Sequence, residues 1–161
     1  MSFKIIEVSI PEEKSLIVTS IMHSLPDWFY LEETIIKYQE EVKPLPFFAA
    51  FNEKNEAVGM MCLIDFKAPD IESIEIKVIG VKPEYHKQKI GYALINKASE
   101  FAKEHQKRYL TVKTLSSKNP DVFYQKTREF YKHCGFISLM DIVELWDDVN
   151  PCLLMVKDLY I

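Results

Sequence analysis

Apolar and polar positions change their period several times along this chain, and each change marks an element. Phe3 to Val8 predicts a short strand. Pro11 and Glu12 open a helix with Leu16, Ile17, Ile21 and Met22 as its apolar stripe, and Pro26 and Asp27 break it. A second helix is expected over Leu31 to Glu41, ended by Pro44 and Pro46. Strand-like runs follow at Phe47 to Phe51, Ala57 to Phe66 and Glu72 to Val81. In the third run, alternation predicts Ile74, Ile76 and Val78 on one face, with Glu75, Lys77 and Ile79 on the other.

A long helix is predicted from about Ile90 to Gln106, striped by Ile90, Leu94, Ala98, Phe101, Ala102 and His105. Tyr109 to Leu115 reads as a strand. The next helix puts Phe123, Thr127, Phe130, Tyr131 and Cys134 on one side, with Gly135 as its C-cap. Strands fit Phe136 to Trp146 and Cys152 to Leu159. The order β-α-α-β-β-β-α-β-α-β-β implies an α/β fold: a mixed sheet with helices on both faces. At 161 residues, without repeats or linkers, the expectation is a single domain, 1–161.

Composition narrows the function. A 48% apolar share is globular, and a net charge of −4 gives no basic footprint for nucleic acid. Cys62, Cys134 and Cys152 are scattered, without a C-x-x-C pair, and read as free thiols of a reducing compartment. The four histidines do not cluster with them, so no metal site is expected. No run is long enough to span a bilayer and Met1 to Val8 has no signal-type core, so a cytoplasmic location is expected.

The most informative stretch runs from Val78 to Leu94: a strand, a polar basic turn, then a helix start. Free N–H groups at a helix N-terminus, backed by the helix dipole, bind phosphate. His86, Lys87 and Lys89 add positive charge there, and Gly91 permits a close backbone approach. A plain βα turn with solvated lysines fits the spacing equally well. Neither a Walker loop nor G-x-G-x-x-G is present.

Val81, Pro83, Glu84, Tyr85, His86 and Gly91 resemble motif A of the GNAT superfamily of acyl-CoA-dependent N-acetyltransferases, with Lys89 standing where a glycine is common. Phe130-Tyr131 and Gly135-Phe136 resemble its motif B, with Tyr124 replacing a common Asn. The resemblance covers nearly the whole chain. It implies the GNAT fold, a mostly antiparallel sheet of about seven strands splayed at its centre, and acetyl-CoA as co-substrate. It assigns the pyrophosphate to the backbone of Lys87, Gln88, Lys89, Ile90, Gly91 and Tyr92. Pantetheine falls to main-chain groups of Ile79 and Val81, with Gly80 as the expected bulge.

The same resemblance makes Tyr131 the acid that protonates the leaving thiolate, a role open to a phenol whose ordinary pKa is about 10. It makes Glu75 the base for an amine acceptor, against the alternative of an ion pair with Lys77 or Lys113. It frames the acceptor groove with Trp28, Phe29 and Trp146, aromatics that otherwise serve as packing. Expected partners are a small-molecule or peptide amine, with neither nucleic acid nor membrane, and strands near the C-terminus offer themselves for a homodimer. Cys134 lacks an activating base at a recognisable spacing, which disfavours an acyl-cysteine route. A non-catalytic acyl-CoA sensor and a plain interaction domain are the rival readings.

Overall fold

A computed structural model describes residues 2–161, so only Met1 of the expected 1–161 domain lies outside the described residues. Seven strands form one sheet: β1 (Phe3–Glu7), β2 (Phe47–Asn52), β3 (Ala57–Asp65), β4 (Ser73–Val81), β5 (Tyr109–Leu115), β6 (Ile137–Ile142) and β7 (Cys152–Asp158). Their order is β1-β2-β3-β4-β5-β7-β6, and β4–β5 is the one parallel pair. The expected mixed, mostly antiparallel sheet is therefore present. Helices α1 (Pro11–His23) and α2 (Glu32–Glu41) cover one face, and α3 (Ile90–Glu104) and α4 (Val122–His133) cover the other.

Two apolar layers sandwich the sheet, and alternation along β2 shows how. Phe48 and Ala50 enter the α3–α4 core, while Phe47 and Ala49 enter the α1–α2 core. Each layer removes large aliphatic side chains from water, at roughly 25 cal/mol per Å². Where strands pack against both cores, their sequences are nearly continuously apolar, as Ala57 to Leu63 is.

Several expectations need correction. Ile74 and Ile76 share the α3–α4 core, but Val78 faces the α1–α2 core. The cause is a bulge on β4: Leu63 pairs with Ile76 and Cys62 with Val78, which leaves Lys77 as the extra residue. The bulge is thus at Lys77, not at Gly80, which pairs regularly with Met60. Leu16 is 70% exposed, because Val18, Ile21, Met22 and the Lys14 stem form the buried face of α1. His105 lies exposed past the end of α3, its ring stacked on Phe101 at 4.0 Å. The strand expected to reach Trp146 stops at Ile142, where a 3-10 turn over Val143–Leu145 begins.

Gly80 has a packing role. A Cβ there would lie 3.0 Å from Ile21 Cγ2 and 3.2 Å from Leu25 Cδ1, so the missing side chain lets α1 seat on the sheet. Gly80→Ala should cost about 1–3 kcal/mol, as overpacking does, measured by urea unfolding. A loss below about 0.5 kcal/mol would mean that α1 shifts without penalty.

Candidate active site

The turn between β4 and α3 is built from local bonds. Lys82 N–H closes β4 onto Val58 O at 2.9 Å, and Pro83–Tyr85 forms a 3-10 turn anchored by Asn52 Nδ2 donating to Tyr85 Oη at 3.1 Å. Lys87 and Lys89 then adopt left-handed backbone, φ 61° and 66°. Such geometry costs a residue with a Cβ roughly 1–2 kcal/mol. Lys89 is the N-cap of α3 but supplies no side-chain cap. Among the described residues, the N–H groups of Lys87 through Tyr92 meet no backbone acceptor, and the first bond of the helix is Ala93 N–H to Lys89 O at 3.0 Å. Six successive amides at the positive end of a helix dipole are an anion cradle.

Beside this turn the sheet forks. β4 and β5 pair from Ser73–Tyr109 to Ile76–Val112 and then part, at the point where Lys77 bulges. The Lys82–Val58 bond fixes the alternation above the bulge, so Ile79 and Val81 turn their N–H and C=O groups into the gap. On the other wall, Ser116 N–H bonds Pro151 O on the β7 side, so the Lys113 carbonyl and both main-chain groups of Leu115 turn into the same gap. Two of these orphan carbonyls are capped. His86 Nε2 donates to Val81 O at 2.7 Å, and Arg128 Nη1 donates to Leu115 O at 2.7 Å.

α4 lines the fork. Asp121 caps its start by accepting from Phe123 N–H (2.8 Å) and Tyr124 N–H (3.1 Å), and Gly135 at φ 95° ends it. Tyr131 is buried between Phe130 and Phe136. Its hydroxyl has no hydrogen-bond partner among the described residues, yet no buried polar side-chain atom is left unsatisfied, so this oxygen borders accessible space. Burial raises its pKa, helped by Cys134, Tyr124 and Tyr38. Gly91 faces α4: the edge of Phe130 lies 2.9 Å from where its Cβ would be. That vacancy is filled by a ring of the chain itself.

Glu75 lies on the α2 side and pairs with Lys113 Nζ at 2.8 Å, the ion pair that was the alternative to a base. Tyr38 sits close by. Burial, then Glu41, Cys62 and Glu75, raises its pKa. Trp28, in the loop between α1 and α2, bridges both walls. Its Nε1 donates to Thr127 Oγ1 at 3.0 Å, and its ring meets Phe123 at 5.2 Å and His86 at 6.5 Å. Tyr124 Oη donates to Trp28 O at 3.4 Å, and burial pushes that phenol up to about 12. Phe29 packs on Tyr38 at 6.5 Å. Trp146 stands apart, 45% exposed and outside every aromatic pair.

The fold thus gathers Trp28, His86, the amides of Lys87 to Tyr92 and Tyr131 around one fork, with Glu75 on the α2 side and Trp146 away from the rest. Arg128, Tyr38 and Lys113 also belong to it. Arg128 could have been found three residues before Tyr131, on the same helix face. Tyr38 had no sequence signal. Two clefts of about 220 and 260 Å³ line the β1–β2 edge and contain no residue of the turn or of α4. Among the described residues no group of His, Cys, Asp and Glu is assembled to hold a metal, and no helix is long and apolar enough to cross a membrane.

Comparison with known proteins adds a family. The model of the acetyltransferase (GNAT) domain matches residues 44–138, a span that contains the turn and Tyr131. Among curated proteins none matches at a significant level. A Desulfovibrio desulfuricans structure assigned to the GNAT acetyltransferases is 18% identical, with TM-score 0.84 over 98% of this chain and 99% of that one. A spermidine N-acetyltransferase chimera of Vibrio cholerae and hSSAT sequence is 15% identical, with TM-score 0.69 over 96% and 95%. A Bacillus anthracis structure assigned as a streptothricin acetyltransferase, in complex with acetyl coenzyme A, is 18% identical, with TM-score 0.58 over 71% and 62%. At such identities the likeness speaks to the fold.

Lys89→Gly should relieve the left-handed strain, offset by the greater freedom of the unfolded chain, for a net gain of about 0.5–1 kcal/mol. Thermal unfolding should then move up by about 1–4 °C; no rise would show that the strain at Lys89 does not exceed that offset. All three cysteines are buried, and burial pushes Cys62 up to about 12 and Cys134 to about 11. At pH 8 none should react with an aromatic disulfide within minutes, and all three should react after unfolding. A fast-reacting Cys134 in the native protein would reopen the acyl-cysteine route.

Proposed function

The chain belongs to the GNAT acetyltransferase family, and on that footing we propose that it moves an acetyl group from acetyl-CoA to a primary amine by direct attack in a ternary complex. The observation that carries this reading is the run of six unengaged amides from Lys87 to Tyr92, opening beside a fork whose β4 wall also offers free main-chain groups. Pyrophosphate suits the amides, and the exposed Lys87 and Lys89 side chains add charge. The pantetheine arm suits the β4 edge as an added strand. Ile79 and the Val81 N–H are available to it, whereas the Val81 carbonyl is engaged by His86.

Acetyl-CoA supplies an acyl group already activated as a thioester. The N–H of Ile79 or Val81 polarises the acyl carbonyl. Glu75, directly or through water, takes the proton of an amine whose ordinary pKa is near 10.4, and Lys113 holds that carboxylate in place. Tyr131 presents its hydroxyl proton to the departing sulfur. Trp28 and Phe29 face the acceptor beside Tyr38, where aromatic rings suit an ammonium group. Trp146 would join only if the exposed segment after Ile142 folds over the bound acceptor. The spermidine N-acetyltransferase among the structural neighbours makes polyamines the first acceptors to try. The three buried free thiols fit a reducing, cytoplasmic setting.

The deciding experiment is thiol release from acetyl-CoA with a panel of amines. Release that depends on the amine supports transfer, while tight CoA binding without it would make the chain a sensor. With the best amine, Tyr131→Phe should lower kcat about 10–100-fold at nearly unchanged KM. Unchanged kcat with chemistry rate-limiting would remove Tyr131 as the acid. Glu75→Gln should lower kcat/KM for the amine about tenfold, less where water carries the proton.

A further inference from the structure

Arg128 is 8% exposed and sits on α4 one turn before Tyr131. Its one bond, from Nη1 to Leu115 O at 2.7 Å, ends on a carbonyl that faces the fork. The guanidinium therefore stands at the β5 wall of the gap. Among the described residues no carboxylate lies within 4.0 Å of it. Arginine stays charged in proteins, and a buried charge with no counter-charge is costly. The other buried cation, Lys14, is held by two carbonyls, Lys43 O at 3.1 Å and Leu45 O at 2.7 Å, and faces the α1–α2 side. Arg128 has five N–H donors and gives the protein one. Since no buried side-chain nitrogen lacks a partner, its remaining nitrogens border open space.

A lone guanidinium with spare donors, held at the β5 wall of the fork and one helical turn from Tyr131 along α4, is arranged to receive an anion. We propose that Arg128 is the counter-charge for the sulfur that leaves during transfer, an assignment that rests on acetyl-CoA occupying this fork. In the step, the amine nitrogen forms a bond to the acyl carbon and the carbon–sulfur bond breaks with its electron pair on sulfur. The surplus amine proton goes to Glu75 or water. The thiolate is held by a charge-assisted bond from Arg128 until a proton arrives from Tyr131, which regains it from solvent. Burial makes the Tyr131 phenol a weaker acid than a free one, and a cation that stabilises the unprotonated sulfur lets the carbon–sulfur bond break before that proton arrives.

Binding measurements test this without turnover. CoA and desulfo-CoA, which lacks the thiol, are titrated calorimetrically into the whole chain between pH 7 and 9.5. A bound thiol stabilised as thiolate makes affinity for CoA, relative to desulfo-CoA, rise by roughly fivefold to tenfold over that range for a downward pKa shift of about one unit. His86, Glu75, Lys113, Tyr38, Tyr124 and Tyr131 also surround the fork; the ratio cancels what they contribute to both ligands, and comparison with Arg128→Gln cancels what they contribute to the sulfur alone. Ultraviolet absorbance of the bound thiolate should report the same shift. Arg128→Gln should abolish the rise, and Arg128→Lys should keep part of it, with desulfo-CoA affinity within about threefold in both. A flat ratio in the unmodified protein overturns the assignment even if the Gln variant fails to fold, as does a folded Gln variant that keeps the rise. A flat ratio together with Arg128-dependent binding of a carboxylated amine also overturns it, and makes Arg128 an acceptor contact. No binding of either ligand overturns both this assignment and the transferase reading, whereas CoA binding with a flat ratio removes only the role of Arg128.

Discussion

The parting of β4 from β5 after Ile76 and Val112 is the constraint on which the rest of this structure depends. A parallel pair that separates inside a sheet orphans main-chain groups on both walls, and orphaned groups must find partners or water. The Lys77 bulge makes the parting permanent, because an extra residue on β4 shifts its register against β3 and turns it away from β5. Carbonyls are then dealt with by side chains, Val81 by His86 and Leu115 by Arg128. The amides of Ile79 and Val81 stay open. The fork therefore carries a surplus of donors over acceptors, which is what a ligand rich in phosphate, carbonyl and sulfur acceptors requires.

Electrostatics follows the same division. Positive character collects on the α3–α4 side, from the α3 dipole, the lysines of the turn and Arg128. The acids nearest the fork, Glu75 and Glu41, lie on the α2 side and are answered by Lys113 and Lys77 at 2.8 and 2.7 Å. The two faces of the sheet beside the gap thus differ in charge: among the described residues, unpaired cationic groups lie on one, paired acids on the other. Net charge of −4 does not reveal this, since the sum hides the arrangement.

Most of the fold was legible because it is local. Pro11 opens α1, Gly135 closes α4 in left-handed geometry, and apolar or alternating runs located the strands to within a residue or two at most ends. The failures share one cause. Val78 faces away from Ile76 because pairing with Cys62, far away in sequence, inserted the bulge. Leu16 is exposed because α2 and β3, not the stripe itself, decide which face of α1 is covered. The turn and Tyr131 were legible as motif residues. Arg128 was not singled out, because nothing local says that a cation will be buried beside an orphan carbonyl. Trp28 was assigned to the acceptor groove, and its hydrogen bond to Thr127 and its ring against His86 also make it a neighbour of the co-substrate turn.

Gly91 explains how the two walls keep their spacing. Because it has no Cβ, the Phe130 ring seats against the first turn of α3. Tyr131 is the next residue, so the contact that fixes Phe130 also fixes how far the phenol stands from the amides of the turn. A side chain at position 91 would displace the Phe130 ring from this seat and disturb the part of α4 that carries Tyr131. The glycine of the motif thus acts through packing: it sets the distance between the open amides of the turn and Tyr131 on α4.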